Sequence, residues 1–407
     1  MHLKALVLAS MVFSTSVSAV AAPPPVPRGA EFRIDTNASS GFKPRIAAFP
    51  DGGFVVVWTG SGARARFLDA AGRPASGVIR LPGVTGTVDQ VVADRDGSFL
   101  LVWTGVSSTR PESNIYVRRF NRDGTPRGRR IRANLPSIYD RHEAVAAIGP
   151  DGRFAIAWQA DVPIPDFGED ARYTDAVGRI FTANGTPLTP EIVLFPGEGP
   201  TPAGDDTISA YPSSLALRPN GTLAALVEER GDCFQSYLRE VSREGEPASS
   251  LQPLGSVFCG NPPSRNHLAA ALAMGKDGSL VAAWSDGDVQ AQRFAPNGTP
   301  RGDWFRVSPT LLRQYEPTAA LQAGGTFVIA WTEDEDGYGE KEDIFGRAFA
   351  ADGTPRTQKF QINLTTEGNQ NDPAIAAGRQ GPAVVVWTSE LPPPRGGIYA
   401  RVLSPER

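Results

Sequence analysis

Apolar residues in this chain are gathered into short unbroken runs, each entered through a tight polar turn and most of them closed by a tryptophan. The phrase PDGGFVVVWTG at residues 50–60 returns as RDGSFLLVWTG at 95–105, PDGRFAIAWQA at 150–160 and KDGSLVAAWSD at 276–286. Side chains of a β-strand alternate between its two faces, so consecutive apolar positions predict a strand buried on both sides. With Trp58 as anchor, the matching positions are Trp103, Trp158, Val227, Trp284, Trp331 and Trp387, spaced 45 to 69 residues apart. Seven residues before each anchor stands Asp51, Asp96, Asp151, Asn220, Asp277, Gly324 or Gln380, and the next residue is always glycine. A hairpin turn that needs positive φ accounts for that glycine.

A second hairpin follows each anchor. Its turn holds Gly72, Gly124, Gly185, Gly245, Gly298 or Gly353, with a proline two residues later, and the seventh copy is cut short by the C-terminus. One short strand precedes the buried run (PRIAAF, EAVAAI, PAIAAG) and another follows the second turn (RRIRAN, DWFRVS, KFQIN). Each repeat is therefore four antiparallel strands, A to D. A single such sheet cannot cover both faces of strand B, whereas sheets stacked around an axis cover each other. Seven units of about 50 residues predict an all-β, seven-bladed propeller. The segment EFRID at 31–35 matches strand D, and the chain ends on IYARVLSPER, which matches strand C. The N-terminal strand is thus expected to complete the last blade and remove the open edges.

On these residues the chain resembles the seven-bladed β-propeller superfamily, in particular proteins exported by bacteria that carry DGxFVVVW…IYxRxF…DGTPxG repeats. The resemblance covers nearly all of the chain after residue 22. It implies the fold and transfers no catalytic residue, because propellers serve binding and catalysis alike.

Residues 1–22 read as a secretory signal peptide: Lys4, then an apolar run from Ala5 to Phe13, then small residues around Ala19 and Ala21. Residues 23–30 read as a Pro-rich linker and 31–407 as the propeller. No run is long enough for a membrane helix, so the expected location is the periplasm or the cell exterior. A formal net charge of −4 and the lack of an Arg/Lys-rich helix make nucleic acid an unexpected partner. Cys233 and Cys259 lie at the start of strand C and the end of strand D of the fourth repeat, on either side of the Gly245 turn, and an exported chain is expected to join them.

Candidate chemistry is sparse. A ring of arginines in strand C (Arg66, Arg118, Arg179, Arg239, Arg347, Arg401) suits a structural role in every blade better than an anion site. The acidic segment 333–343 offers Asp334, Asp336 and Asp343 on a Gly-bent loop, a donor set that suits calcium, though the spacing also fits a solvated loop. Two histidines after residue 22, His142 and His267, and no Cys cluster give no zinc motif. The sialidase Asp-box, with its Trp close behind the Asp, is not matched.

Antiparallel order puts the A–B and C–D turns at one end of the ring and the B–C and D–A loops at the other. The first end is uniform. The second varies in length, and variable loops on a rigid scaffold are where binding residues gather. Residues entering strand A are expected to ring the axial opening there: Lys43, Asp89, His142, Tyr211, His267, Glu316 and Asp372, overhung by Tyr139, Asp170, Tyr173, Tyr315 and Tyr338. The expected function is non-catalytic binding of a glycan, peptide or protein in this funnel. The alternative is a secreted hydrolase or lyase with carboxylates in the funnel.

Overall fold

A computed structural model describes residues 25–36, 42–107, 110–164, 171–199, 207–259, 270–308, 310, 312–378, 381–392 and 395–405. The expected signal peptide, His267 and Asp170 lie outside these residues. The described chain forms seven four-stranded antiparallel sheets. The A strands are Phe42–Ala48, Thr87–Ala93, Arg141–Ile148, Ser209–Leu217, Ala271–Met274, Arg313–Leu321 and Gln370–Ala377. Each lies beside the A strand of the next blade, and the seventh beside the first, so the ring is closed. The D strands form the rim: Ile79–Arg80, Pro126–Arg132, Ile192–Phe195, Gln252–Cys259, Phe305–Arg306, Phe360–Gln361 and, in the seventh blade, Pro25–Arg33.

The apolar runs pack as their pattern requires. In the first blade Phe54, Val56 and Trp58 turn toward the seventh blade, while Val55 and Val57 turn toward the second. Seven hydrophobic clusters result, one at each junction between blades. Trp103, Trp158, Trp284, Trp331 and Trp387 each sit in the cluster shared with the preceding blade, and Val227 holds that place between blades 3 and 4. Burying side chains of this size contributes about 2–3 kcal/mol each, and none can be buried without its neighbouring blade.

The N-terminal strand closes the ring and begins earlier than EFRID. Pro25 pairs with Pro405 and Arg28 with Val402, then, after a bulge, Phe32 pairs with Ala400 and Arg33 with Tyr399. Residues 25–30, expected as linker, are strand. They add antiparallel pairing to an edge that the C-terminal strand Gly397–Pro405 would otherwise expose. The Asp35 carboxylate accepts the Ile398 amide at 3.2 Å, tying the end of the strand to its partner.

The strand C arginines are structural, through bonds to backbone carbonyls. Arg66, Arg179, Arg347 and Arg401 each donate from Nη1 to a carbonyl at the end of the preceding blade's strand D, at Ile34, Ala133, Val307 and Ile362. Cys233 and Cys259 face each other in register and form a disulfide with sulfurs 1.96 Å apart. It fastens strand D to strand C in the blade whose anchor is the small Val227.

Candidate functional site

Six of the seven predicted funnel residues, Lys43, Asp89, His142, Tyr211, Glu316 and Asp372, lie in the first half of their A strands, on the loop end of the ring. Their local backbone has a common cause. In blades 1, 3, 6 and 7 the A strand carries a β-bulge opposite the anchor tryptophan, between Phe42 and Arg45, His142 and Val145, Tyr315 and Thr318, and Asn371 and Ala374. The first bulge residue is left-handed in each: Lys43 at φ 51°, Glu143 at 51°, Glu316 at 52° and Asp372 at 53°. Non-glycine residues in this region store about 1–3 kcal/mol each and persist where surrounding contacts hold them. Here those contacts include bonds to the next blade.

The half-buried Asp89 carboxylate accepts the Thr104 hydroxyl at 2.7 Å and the Ala144 amide of the third blade. Desolvation pushes its carboxyl up to about 7, against the help of these bonds and of Arg45. Glu316, buried, accepts the Thr332 hydroxyl and the Asp372 amide of the seventh blade, both at 2.9 Å. Glu143 accepts Gln159 Nε2 within its own blade. Thr59 and Ser214 hydroxyl oxygens accept the amides of Val88 and Leu272, again across blade junctions. The acids of the inner strands thus serve as fasteners between and within blades.

The third blade presents a different set. His142 Nε2 lies 3.1 Å from Asp161 Oδ1. Burial works against the charged ring, but the bond to Asp161 and the field of Asp161, Glu143 and Asp140 outweigh it and raise the imidazole pKa. Arg141 is bound to the carbonyls of Asp140 and Asp161 at 2.8 and 3.1 Å, which fixes the loop that carries Tyr139. The Arg172 guanidinium lies 5.3 Å from the centre of the Tyr139 ring. Burial and the nearby Asp175 raise the Tyr173 phenol. Tyr139 and Tyr173 are both half-buried, so part of each remains open to a ligand.

Other predicted residues have different surroundings. Tyr315 is 3% exposed and its phenol donates to Glu342, so it belongs to the interior and not to a binding surface. Tyr338 stands 88% exposed on the B–C loop of the sixth blade. Tyr211 lies under the Arg230 guanidinium, 4.3 Å from its ring centre. In the acidic segment, Asp334 accepts the Gly337 amide and Asp336 the Tyr338 amide, while Asp343 accepts Asn363 Nδ2 at 2.5 Å. That last bond is a repeat feature, since Asn114 and Asn134 pair in the same way in the second blade. Among the described residues no group of three His, Cys, Asp or Glu side chains is placed to hold a metal ion.

The turn end, expected to be uniform, carries two open clefts beside the junction of blades 1 and 2. One, of about 470 Å³, is lined by residues including Phe67, Asp69, Ser76 and Ile79. The other, of about 420 Å³, is lined by residues including Phe49, Arg95, Asp96 and Arg127. The Asp51–Arg122 ion pair contributes to both walls, with the guanidinium 4.5 Å from the centre of the Phe49 ring.

No family model matches the chain, and no curated protein matches its sequence. Solved structures do. One is a protein of unknown function from Dyadobacter fermentans, with a TM-score of 0.52 and 13% identity over 95% of this chain and 100% of that one. Another is an ulvan lyase of polysaccharide lyase family 25 bound to -[GlcA(1-4)Rha3S]-, with a TM-score of 0.55 and 11% identity over 92% of this chain and 96% of that one. These likenesses establish the propeller fold and nothing finer.

Proposed function

We propose that this chain is an exported, non-catalytic binding protein that holds a glycan at the loop end of the ring, beside the third blade. The observation that carries this reading is the engagement of the axial acids. Glycoside hydrolysis by two carboxylates needs an unencumbered pair about 5–10 Å apart across the scissile bond. Asp89 and Glu316 instead accept amides of the neighbouring blades, and Glu143 accepts Gln159. The groups that face solvent beside the third blade include two half-buried tyrosines, the Arg172 guanidinium, which donates to the Ala171 carbonyl at 2.9 Å, and a histidine oriented by Asp161. Aromatic faces with a few convergent polar groups suit the apolar and hydroxyl faces of a sugar ring. The glycan bound on the same fold in the ulvan lyase supports this ligand class. The disulfide and the N-terminal apolar run support export.

Calorimetric titration with a panel of neutral and acidic oligosaccharides, followed by product analysis of the same mixtures, tests the reading. Saturable binding with every oligosaccharide recovered intact is expected. New reducing ends or unsaturated products would establish the hydrolase or lyase alternative, and binding of peptides alone would remove the glycan.

A further inference from the structure

The outer strand of the second blade, Pro126–Arg132, differs from every other rim strand. Its sequence is PRGRRIR, and Arg127, Arg129, Arg130 and Arg132 are all exposed. The segment 118–132 carries seven arginines against a single acid, Asp123, in a chain whose net charge is −4. Only Ile131 turns inward, onto the cluster between blades 2 and 3. Arg130 lies over the ring of the buried Tyr116, 4.4 Å from its centre, which holds that guanidinium on the surface. The side chains of Arg129 and Arg132 have no hydrogen-bond or ion-pair partner among the described residues. Arg127, at the turn end of the strand, pairs with Asp96 at 2.5 Å and lines the 420 Å³ cleft with Arg95 and Arg122. The row from Arg127 to Arg132 is about 17 Å long at the usual strand rise, and it leads directly into that cleft.

Charge on a rim strand can serve only to block edge-to-edge pairing. That explanation fails here by comparison. The eight-residue rim strand Gln252–Cys259 carries no charged residue, and Ile79–Arg80, Phe305–Arg306 and Phe360–Gln361 are two residues long with at most one arginine each. This protein tolerates an uncharged long edge, so four arginines on one edge exceed what edge protection requires.

The geometry points to a docking track for an anionic polysaccharide, running along the rim of the second blade and into the cleft beside it. Guanidinium groups bind carboxylate and sulfate in paired hydrogen bonds, and a linear chain bearing such groups at intervals can follow one narrow row. Single-stranded nucleic acid binds through stacked aromatics as well as charge, and Tyr116, the aromatic at this row, is buried beneath Arg130. A lipid surface requires apolar side chains beside the cations, and this strand's two apolar side chains, Pro126 and Ile131, are both half-buried, Ile131 packing inward. The track lies on the rim and does not rest on the reading of the axial face.

The test uses the full chain, with polygalacturonate and dextran sulfate as probes and neutral dextran as control. Both polyanions should bind, with affinity falling as salt rises, and neutral dextran should not. Arg129→Ser, Arg130→Ser and Arg132→Ser together should weaken both more than tenfold. Arg73→Ser, Arg243→Ser and Arg301→Ser, which remove equal charge from other blades, should change affinity less than twofold. Equal loss from both sets, absence of polyanion binding, or tighter binding of single-stranded oligonucleotide or anionic vesicles would overturn the proposal.

Discussion

At the turn end of the ring, aspartates act within their own turns. Asp51 accepts the Gly53 amide, Asp123 the Thr125 amide and Asp277 the Ser279 amide, each two residues away. At the loop end, carboxylates act at long range, Glu316 on Asp372 and Asp89 on Ala144. The same blade unit therefore spends its carboxylates locally at one end and between blades at the other. A carboxylate in a turn stabilises a hairpin that its own sequence already favours. A carboxylate on an inner strand adds a bond between two sheets that already share a hydrophobic cluster.

The contrast can be broken by exchanging the consequences of mutation. Glu316→Ala leaves the Asp372 amide and the Thr332 hydroxyl without their acceptor in a buried place, and should cost about 1–3 kcal/mol in a reversible unfolding measurement. Asp123→Ala at the turn end should leave the unfolding midpoint unchanged within error, because its partners remain open to water. A larger loss from Asp123→Ala than from Glu316→Ala would show that the two ends do not differ as described.

A smaller effect sharpens the same contrast through pH. The folded-state pKa of Asp89, about 7, lies above the ordinary carboxylate value of 3.8. The folded protein therefore holds this proton more tightly than the unfolded chain. That contribution is complete below about pH 4 and is lost as pH rises toward 7 and beyond. Asp89→Asn keeps the side-chain acceptor for Thr104 and Ala144 but does not ionise. Its melting temperature relative to the parent should rise between pH 5 and pH 8, whereas parallel profiles would remove Asp89 as the cause.

The fold was legible because the signals that specify it repeat. Seven anchor positions, each preceded by an Asx-Gly, Gly-Gly or Gln-Gly turn, share one spacing, which also marks Val227. Two-residue rim strands such as Phe305–Arg306 left a weaker trace, and the strand at 25–30 was hidden by its prolines. The placement of Asp89, Glu316 and Asp372 on the inner strands was legible, and their bonding was not. Antiparallel order placed Glu316 and Asp372 at the axis, but their bond depends on bulges that turn the backbone left-handed. A signal for those bulges was present: Pro44, Pro317 and Pro373 each follow the bulge residue, where the missing N–H breaks the ladder. The arginine row at 127–132 leaves no trace in the net charge, which averages over the whole chain, while a rim strand exposes all of its charge in one place.

Binding measured after substitution at each end tests the central claim most directly. With the oligosaccharide that binds best to the parent protein, Tyr139→Ala combined with Tyr173→Ala at the loop end should lower affinity at least tenfold with the melting temperature preserved. Asp69→Ala in the larger turn-end cleft, away from the arginine track, should leave affinity within twofold. The reverse result, with binding lost from the clefts and kept beside the third blade, would contradict the account.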